Sequence, residues 1–101
     1  MAKLHVAFIR ITIPSDNKDV TIRDILSDET LTTSTSNVQS SAAPAGTTHA
    51  VCTSLDAIHR VSEGGSGPDV TSDPAIAIPV GNFHMVPCLG GEKVAAVVVT
   101  L

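Results

Sequence analysis

The start of the chain shows a clear alternation of apolar and polar positions. Apolar side chains occupy every second position from Leu4 to Phe8, and alternation resumes with the opposite parity from Ile9 to Ile13. A period of two is typical of a half-buried β-strand. The parity change between Phe8 and Ile9 predicts either a β-bulge or a strand that passes from one sheet to another. Pro14-Ser15-Asp16-Asn17 predicts a turn that ends the strand.

The next apolar positions fit two structures. Val20 and Ile22 suit a strand, whereas Ile22, Ile25 and Leu26 suit one face of a short helix. We expect a strand followed by a turn and keep the helix as the alternative. Residues 1–31 would then form the N-terminal strands and turn.

Residues 32–48 are a run of small polar side chains, TTSTSNVQSSAAPAGTT, without an apolar period. Such a composition predicts a flexible loop or an exposed weak strand. We expect an extended small-residue arm that neighbouring subunits would hold in place.

Residues 49–101 predict the main β module. His49–Ser54 predicts a strand, Leu55–Ala57 a turn, and Ile58–Ser62 a strand paired with the first. A wide glycine-rich turn, Glu63–Pro68, follows.

The stretch Asp73–Leu101 predicts three short strands joined by two glycine turns. The turns are Val80-Gly81-Asn82 and Leu89-Gly90-Gly91-Glu92. Pro79 lacks an amide donor and should lie at a strand end or a sheet edge. Val94–Val99 is apolar on both faces, which predicts a strand buried between layers or against another chain.

Together these patterns predict about seven to nine short strands at turn spacings of about 8 to 12 residues. The expected fold class is all-β, an antiparallel β-sandwich of jelly-roll type, in a single domain spanning residues 1–101.

Composition excludes several kinds of partner. The net charge is −4, and the six lysines and arginines are scattered singly, so we expect no nucleic-acid partner. No segment approaches the ~20 apolar residues of a membrane helix, and Arg10 interrupts the only N-terminal run that suggests an export signal. Phe8 and Phe83 are the only aromatic residues, and both are expected in the core, which disfavours stacking on sugars. Cys52 and Cys88 are expected as free buried thiols rather than a disulfide.

Two residue sets suggest catalytic or metal chemistry. His49-x-x-Cys52 and His84-x-x-x-Cys88 supply zinc-type ligands, but residues three apart on a strand face opposite sides. Four residues supply the side-chain types of a catalytic nucleophile and its partners, but the sequence contains no nucleophile elbow that would position them. These are Cys52, Ser54, Asp56 and His59.

Two loops contain residue types that also occur in ligand-binding motifs. Gly64–Pro68 is glycine-rich but lacks the Lys-Ser/Thr of a phosphate loop. Glu63, Asp69 and Asp73 lack the spacing of a calcium loop and predict a solvated acidic rim. We therefore expect no catalytic, cofactor-binding or metal-binding residues and no enzyme activity.

Five short segments resemble a plan found in small β-rich virion proteins of tailed bacteriophages, of the capsid decoration or cement type. The segments are Gly46-Thr47-Thr48, His59-Arg60-Val61, Pro68-Asp69-Val70-Thr71, Ile78-Pro79-Val80-Gly81 and Gly90-Gly91-Glu92-Lys93-Val94-Ala95. The resemblance covers about Thr33 to Val99.

The resemblance implies a structural protein of the virion, made in the host cytoplasm, that binds and stabilises the assembled major capsid shell. It also implies a homo-oligomer, a dimer or a trimer, and brings no cofactor and no catalytic residues. The alternatives are a tail or head-fibre component, or a carbohydrate- or receptor-binding β-sandwich module.

Overall fold

A computed structural model describes residues 2–12, 22–62, 64–71 and 74–99. All regular secondary structure in these residues is β. The eight strands are β1 (Ala2–Thr12), β2 (Ile22–Thr33), β3 (Val38–Gln39), β4 (His49–Ser54), β5 (His59–Ser62), β6 (Ala75–Ile78), β7 (Phe83–Pro87) and β8 (Ala95–Val98). The turn predicted at Pro14–Asn17 lies outside the described residues. Within the described ranges, no helix has the length and apolarity to cross a membrane.

The strands form two four-stranded sheets. The first sheet has the order β2-β1-β4-β7 and the second the order β3-β8-β5-β6. Every pairing is antiparallel. The predicted all-β antiparallel class is therefore confirmed.

One buried core draws side chains from both sheets. Leu4, Val6 and Phe8 of β1 enter it from the first sheet, and Val61 and Ile78 enter it from the second. The small branched side chains that dominate the sequence fit the narrow space between pleated layers.

The predicted β-bulge is present at Phe8 and Ile9. Phe8 lies opposite Ser27 and Ile9 lies opposite Ile25, so Leu26 is an extra residue on β2. Phe8 and Ile9 are both buried, which explains why the apolar parity changes between them.

β2 remains a strand up to Thr33, and both the predicted turn and the alternative helix are wrong. The strand pairs with β1 along its length, from Ile22 opposite Thr12 to Thr33 opposite Ala2. The bulge at Leu26 interrupts the alternation of β2 and makes the apolar spacing resemble one face of a helix.

Residues 32–48 make hydrogen bonds with the rest of their own chain. Thr32 and Thr33 belong to β2, and the residues after β3 bond to the segment before β8. The Ser40 amide donates to the Val94 carbonyl over 2.8 Å, and the Ala43 amide donates to the Glu92 carbonyl over 2.8 Å.

The strand positions after residue 48 were predicted well, but their pairing was not. β4 and β5 belong to different sheets, as do β6 and β7, and β7 and β8. The predicted glycine turns are therefore crossings between sheets, with positive φ at Gly81 (80°) and Gly91 (86°). Pro79 follows β6, the edge strand of the second sheet, as predicted.

The start of β8 is buried on both sides by residues of its own chain, whereas Val97 and Val98 are partly exposed. Val94 and Ala96 belong to the core, and Ala95 is fully buried outside that cluster. Ala95 is paired with Gln39, whose side-chain amide donates to the Pro68 carbonyl over 3.0 Å. The loop of residues 64–71 therefore covers the outer side of β8.

Candidate functional site

A buried network of hydrogen bonds surrounds His59. Thr33 Oγ1 lies 2.6 Å from His59 Nε2, and Ser54 Oγ lies 3.2 Å from His59 Nδ1. The Ser54 hydroxyl also donates to the Ile78 carbonyl over 3.0 Å. Thr33 and Ser54 come from the first sheet, and His59 and Ile78 from the second. The network joins the sheets through the core.

These contacts fix one tautomer of the histidine. Because the Ser54 hydroxyl donates to Ile78, its oxygen is an acceptor for a hydrogen on His59 Nδ1. His59 Nε2 then accepts the hydrogen of Thr33. Every polar atom of the imidazole is satisfied while the ring is neutral.

Burial opposes a charge on this ring. Desolvation lowers the pKa of His59 below 6.5, against smaller raising effects from the Ala57 carbonyl and from Asp56. A neutral, fully hydrogen-bonded imidazole at neutral pH is a stabilising element of the fold.

The structure brings together only part of the nucleophile set that the sequence offered. Ser54 and His59 are in contact, but both are fully buried, and the serine hydrogen is committed to a carbonyl. Asp56 lies on the surface, where its carboxylate accepts the Lys3 amide over 2.8 Å. Cys52 is fully buried in the core cluster. The Ser54–His59 pair therefore acts as a cross-link and not as a nucleophile with access to substrate.

Thr33 was missed by sequence reasoning because it lies in a run of small polar residues. The adjacent Thr32 is exposed, whereas Thr33 is 1% exposed. The available signal was the parity of Leu31, since Leu31 and Thr33 share a face of β2 and Leu31 belongs to the core.

The candidate zinc ligands are placed as strand geometry requires. His49 shares the outer face of β4 with Val51, while Cys52 faces the core. His84 is exposed. The described residues contain no group of three or more His, Cys, Asp or Glu side chains that could hold a metal ion.

Both cysteines are free and buried. The Cys88 amide donates to the Thr48 carbonyl, so Cys88 lies beside Thr48. Thr48 precedes Cys52 by four residues, which is about 13 Å along an extended strand. A disulfide requires Cα atoms within about 7 Å. Burial, with a smaller effect of Cys88, raises the pKa of Cys52 to about 12. Burial, with a smaller effect of Glu92, raises the pKa of Cys88 to about 11.

The two candidate ligand loops have structural contacts. Gly65 and Lys93 exchange both backbone hydrogen bonds, of 3.2 Å and 2.8 Å, which ties the 64–71 loop to the segment between β7 and β8. The Asp69 carboxylate accepts the Thr71 amide and hydroxyl over 3.0 Å and 2.6 Å, and the pKa of Asp69 is lowered by these bonds. Glu63 and Asp73 lie outside the described residues.

The prediction that both phenylalanines are core residues is wrong for Phe83. Phe8 is 2% exposed, but Phe83 is 71% exposed. Phe83 pairs with Thr53 on the outer face of the first sheet, and β7 is an edge strand. An apolar run does not reveal which face of an edge strand is covered. Other large apolar side chains are also exposed, namely Ile25, Leu55, Ile76, Val80 and Leu89.

A shallow apolar groove lies between the edge strands β6 and β7. It encloses about 190 Å³ and is lined by Val61, Pro74, Ala75, Ile76, His84, Val86 and Pro87. The described residues that line the groove include no carboxylate, lysine or arginine. Its chemistry suits an apolar side chain or an extended backbone.

Comparison of the chain with protein-family models, with curated proteins and with solved structures finds no match.

Proposed function

We propose that this protein is a non-enzymatic structural component of a bacteriophage virion, and that it binds and stabilises the assembled capsid shell. The observation that carries the proposal is the distribution of its polar and apolar side chains. The best-organised polar residues close a network inside the fold, while large apolar residues such as Phe83 and Ile25 face solvent. These exposed apolar side chains are available for contact with another protein.

The order of the strands supports a jelly roll. If β2 is counted as the first strand and β1 as the eighth, the order β2-β1-β4-β7 becomes 1-8-3-6, and β3-β8-β5-β6 becomes 2-7-4-5. This is the strand order of the eight-stranded jelly roll, with its eighth strand placed at the N-terminus. Jelly rolls are common in viral capsid proteins and in lectins.

Four of the five segments that carry the resemblance to decoration proteins lie at turns or strand ends, and His59-Arg60-Val61 lies within β5. Gly90 and Gly91 form the crossing from β7 to β8, and an added Cβ at Gly90 would lie 3.1 Å from the Pro44 carbonyl oxygen. Gly46, in the facing loop, has a φ of 91°. These glycines of the resemblance fall on positions where backbone geometry restricts the residue.

The test of this proposal is made on particles of the phage that encodes the chain. We expect mass spectrometry and cryo-electron microscopy to find the protein on the outer surface of the purified capsid. Particles that lack the protein should release their DNA at a lower temperature and in less chelator. Equal resistance of the two kinds of particle would overturn the stabilising role, and density on the tail would favour a tail component.

A second candidate function is favoured by Phe83. An exposed ring can stack on a sugar, and the sequence-based argument against sugar binding assumed that this ring was buried. Reproducible binding on a glycan array that is lost in Phe83→Ala, but kept in the matched Ile25→Ala variant, would favour a carbohydrate-binding module.

A further inference from the structure

The four sheet edges differ in how they are protected against pairing with another chain. β2 carries the charged residues Arg23, Asp24, Asp28 and Glu29, and β3 is only two residues long. Charges and short length are the usual protection of an edge strand. β6 (AIAI) and β7 (FHMVP) contain no lysine, arginine, aspartate or glutamate. These two edges lie on the same side of the molecule, where they flank the apolar groove.

The direction of the backbone groups of β7 follows from its contacts with the strand beside it. The Ser54 amide donates to the Asn82 carbonyl over 3.0 Å, and the Cys88 amide donates to the Thr48 carbonyl over 3.1 Å. Alternate residues of an antiparallel strand point toward the same neighbour. His84 and Val86 therefore point their amides and carbonyls toward β4.

Phe83, Met85 and Pro87 consequently point their backbone groups away from β4. Proline has no amide hydrogen, and the Pro87 carbonyl already accepts the Gly64 amide over 2.9 Å. Two amides and two carbonyls, those of Phe83 and Met85, are left on the free edge without a partner among the described residues.

We propose that this edge pairs with β7 of a second copy of the chain, in an antiparallel register whose two-fold axis passes beside His84. In this register Phe83 lies opposite Met85 of the second copy, and the converse pair forms by symmetry. All four free backbone groups of each copy are then used, giving four hydrogen bonds. A register centred on Met85 would form only two such bonds and would place Phe83 opposite a proline.

The free backbone groups of this edge match those of a second copy, and the charges of the two strands allow the contact. Two molecules with a net charge of −4 repel each other overall, but β6 and β7 themselves carry no carboxylate that would face its own copy. The outer face of the first sheet would also continue from one copy into the next, so that Phe83 packs beside Met85 of the second copy. A two-fold contact closes on itself and limits assembly to a dimer.

The size of this edge predicts a weak dimer. β7 has five residues, which extend over about 17 Å, and two stacked sheets are about 10 Å apart. Each copy therefore buries a few hundred Å², less than the roughly 800 Å² per partner of a standard stable interface. A weak dimer whose population rises with concentration is expected for the free protein, whether or not the protein belongs to a capsid.

Sedimentation of the purified chain, from low to high micromolar concentration, tests the proposal. Phe83→Lys places a charge at the two-fold contact and should lower the association constant at least tenfold. Ile25→Lys is the matched control, because Ile25 is 74% exposed on the opposite edge of the same sheet. Melting curves of both variants establish that each is folded. A wild-type chain that stays monomeric, or dimers weakened by Ile25→Lys but not by Phe83→Lys, would overturn the proposal.

Cysteine cross-linking tests the register. His84→Cys places two sulfurs directly opposite each other, in a non-hydrogen-bonded pair whose Cα separation of about 4.5 Å suits a disulfide. Met85→Cys is the control, since its sulfur would face a phenylalanine. The native cysteines are buried in the core and do not compete. Faster oxidation to a covalent dimer in His84→Cys is expected, and faster oxidation in Met85→Cys would contradict the register.

Discussion

Thr33 Oγ1 lies 2.6 Å from His59 Nε2, and this contact joins the two sheets inside the core. On the other side of the ring, Ser54 continues the connection to the Ile78 carbonyl. A buried hydrogen-bonded network is costly when one member is lost, because the remaining polar atoms then lack both water and a protein partner. Two predictions follow from this geometry.

The first prediction concerns pH. Burial lowers the pKa of His59 below its ordinary value of 6.5, so the unfolded state binds a proton more readily than the folded state. The stabilisation by the neutral ring is complete above about pH 6.5 and is lost as the pH falls toward the lowered folded-state pKa. The free energy of unfolding, measured in urea from pH 8 to pH 5, should fall by up to about 1.4 kcal/mol per pH unit from this group.

A variant of the histidine itself separates this effect from other titrations. His59→Gln should flatten the profile between pH 8 and pH 5, and it should lower the stability throughout because the buried hydrogen bonds of the ring are lost. A slope that survives in His59→Gln would show that another group is responsible.

The second prediction concerns the hydroxyl of Thr33. Thr33→Val keeps the shape of the side chain but leaves His59 Nε2 without its donor, and we expect a loss of about 1–3 kcal/mol in the free energy of unfolding. The matched control is Thr32→Val, on the same strand but exposed, where a change within about 0.5 kcal/mol is expected. Similar losses in the two variants would mean that the buried hydrogen bond contributes no special stability.

The bulge shows what a sequence pattern can reveal about this fold. The parity change at Phe8 and Ile9 predicted an irregularity at that position, and the register of β1 and β2 shifts there. Alternation depends on the geometry of one strand, so it can be read from consecutive residues. The bounds of β4 were accessible for the same reason.

The pairing of strands was not accessible in this way. Gly81 and Gly91 identified turns, but a glycine with positive φ permits either a hairpin or a crossing between sheets. Whether the chain makes a hairpin or a crossing depends on contacts between residues that are distant in sequence. One example is the pairing of β4 with β1 on one side and with β7 on the other. The exposure of Phe83 and the burial of Thr33 could not be predicted for the same reason. Both depend on what packs over the strand and not on the residue pattern of the strand itself.

A third prediction concerns the reactivity of the thiols. Burial raises the pKa values of Cys52 and Cys88 to about 12 and about 11, and the thiolate is the reactive form. Iodoacetamide should therefore modify neither residue appreciably in the native protein at pH 8, and both in urea. Rapid modification of either cysteine without denaturant would contradict its placement in the core.

The fourth prediction concerns Gly64, where the 64–71 loop approaches the end of β7. A Cβ added to Gly64 would lie 2.8 Å from the Cα atom of Cys88 and 2.9 Å from the carbonyl oxygen of Pro87. Both are backbone atoms, and the Gly64 amide also donates to that carbonyl over 2.9 Å, so neither side can move without loss of the bond. We expect Gly64→Ala to lower the free energy of unfolding by about 1–3 kcal/mol, the usual range for overpacking.

Gly67→Ala provides the control for this steric effect. Gly67 lies in the same loop, an added Cβ there would have no heavy atom within 4 Å, and its φ is not positive. An alanine at this position also reduces the entropy of the unfolded chain, so its effect should be neutral or slightly stabilising. Urea denaturation of the two variants measures the difference directly. Equal stability of Gly64→Ala and Gly67→Ala would show that the loop can move away from β7, and that the cover it gives to β8 is looser than the contacts indicate.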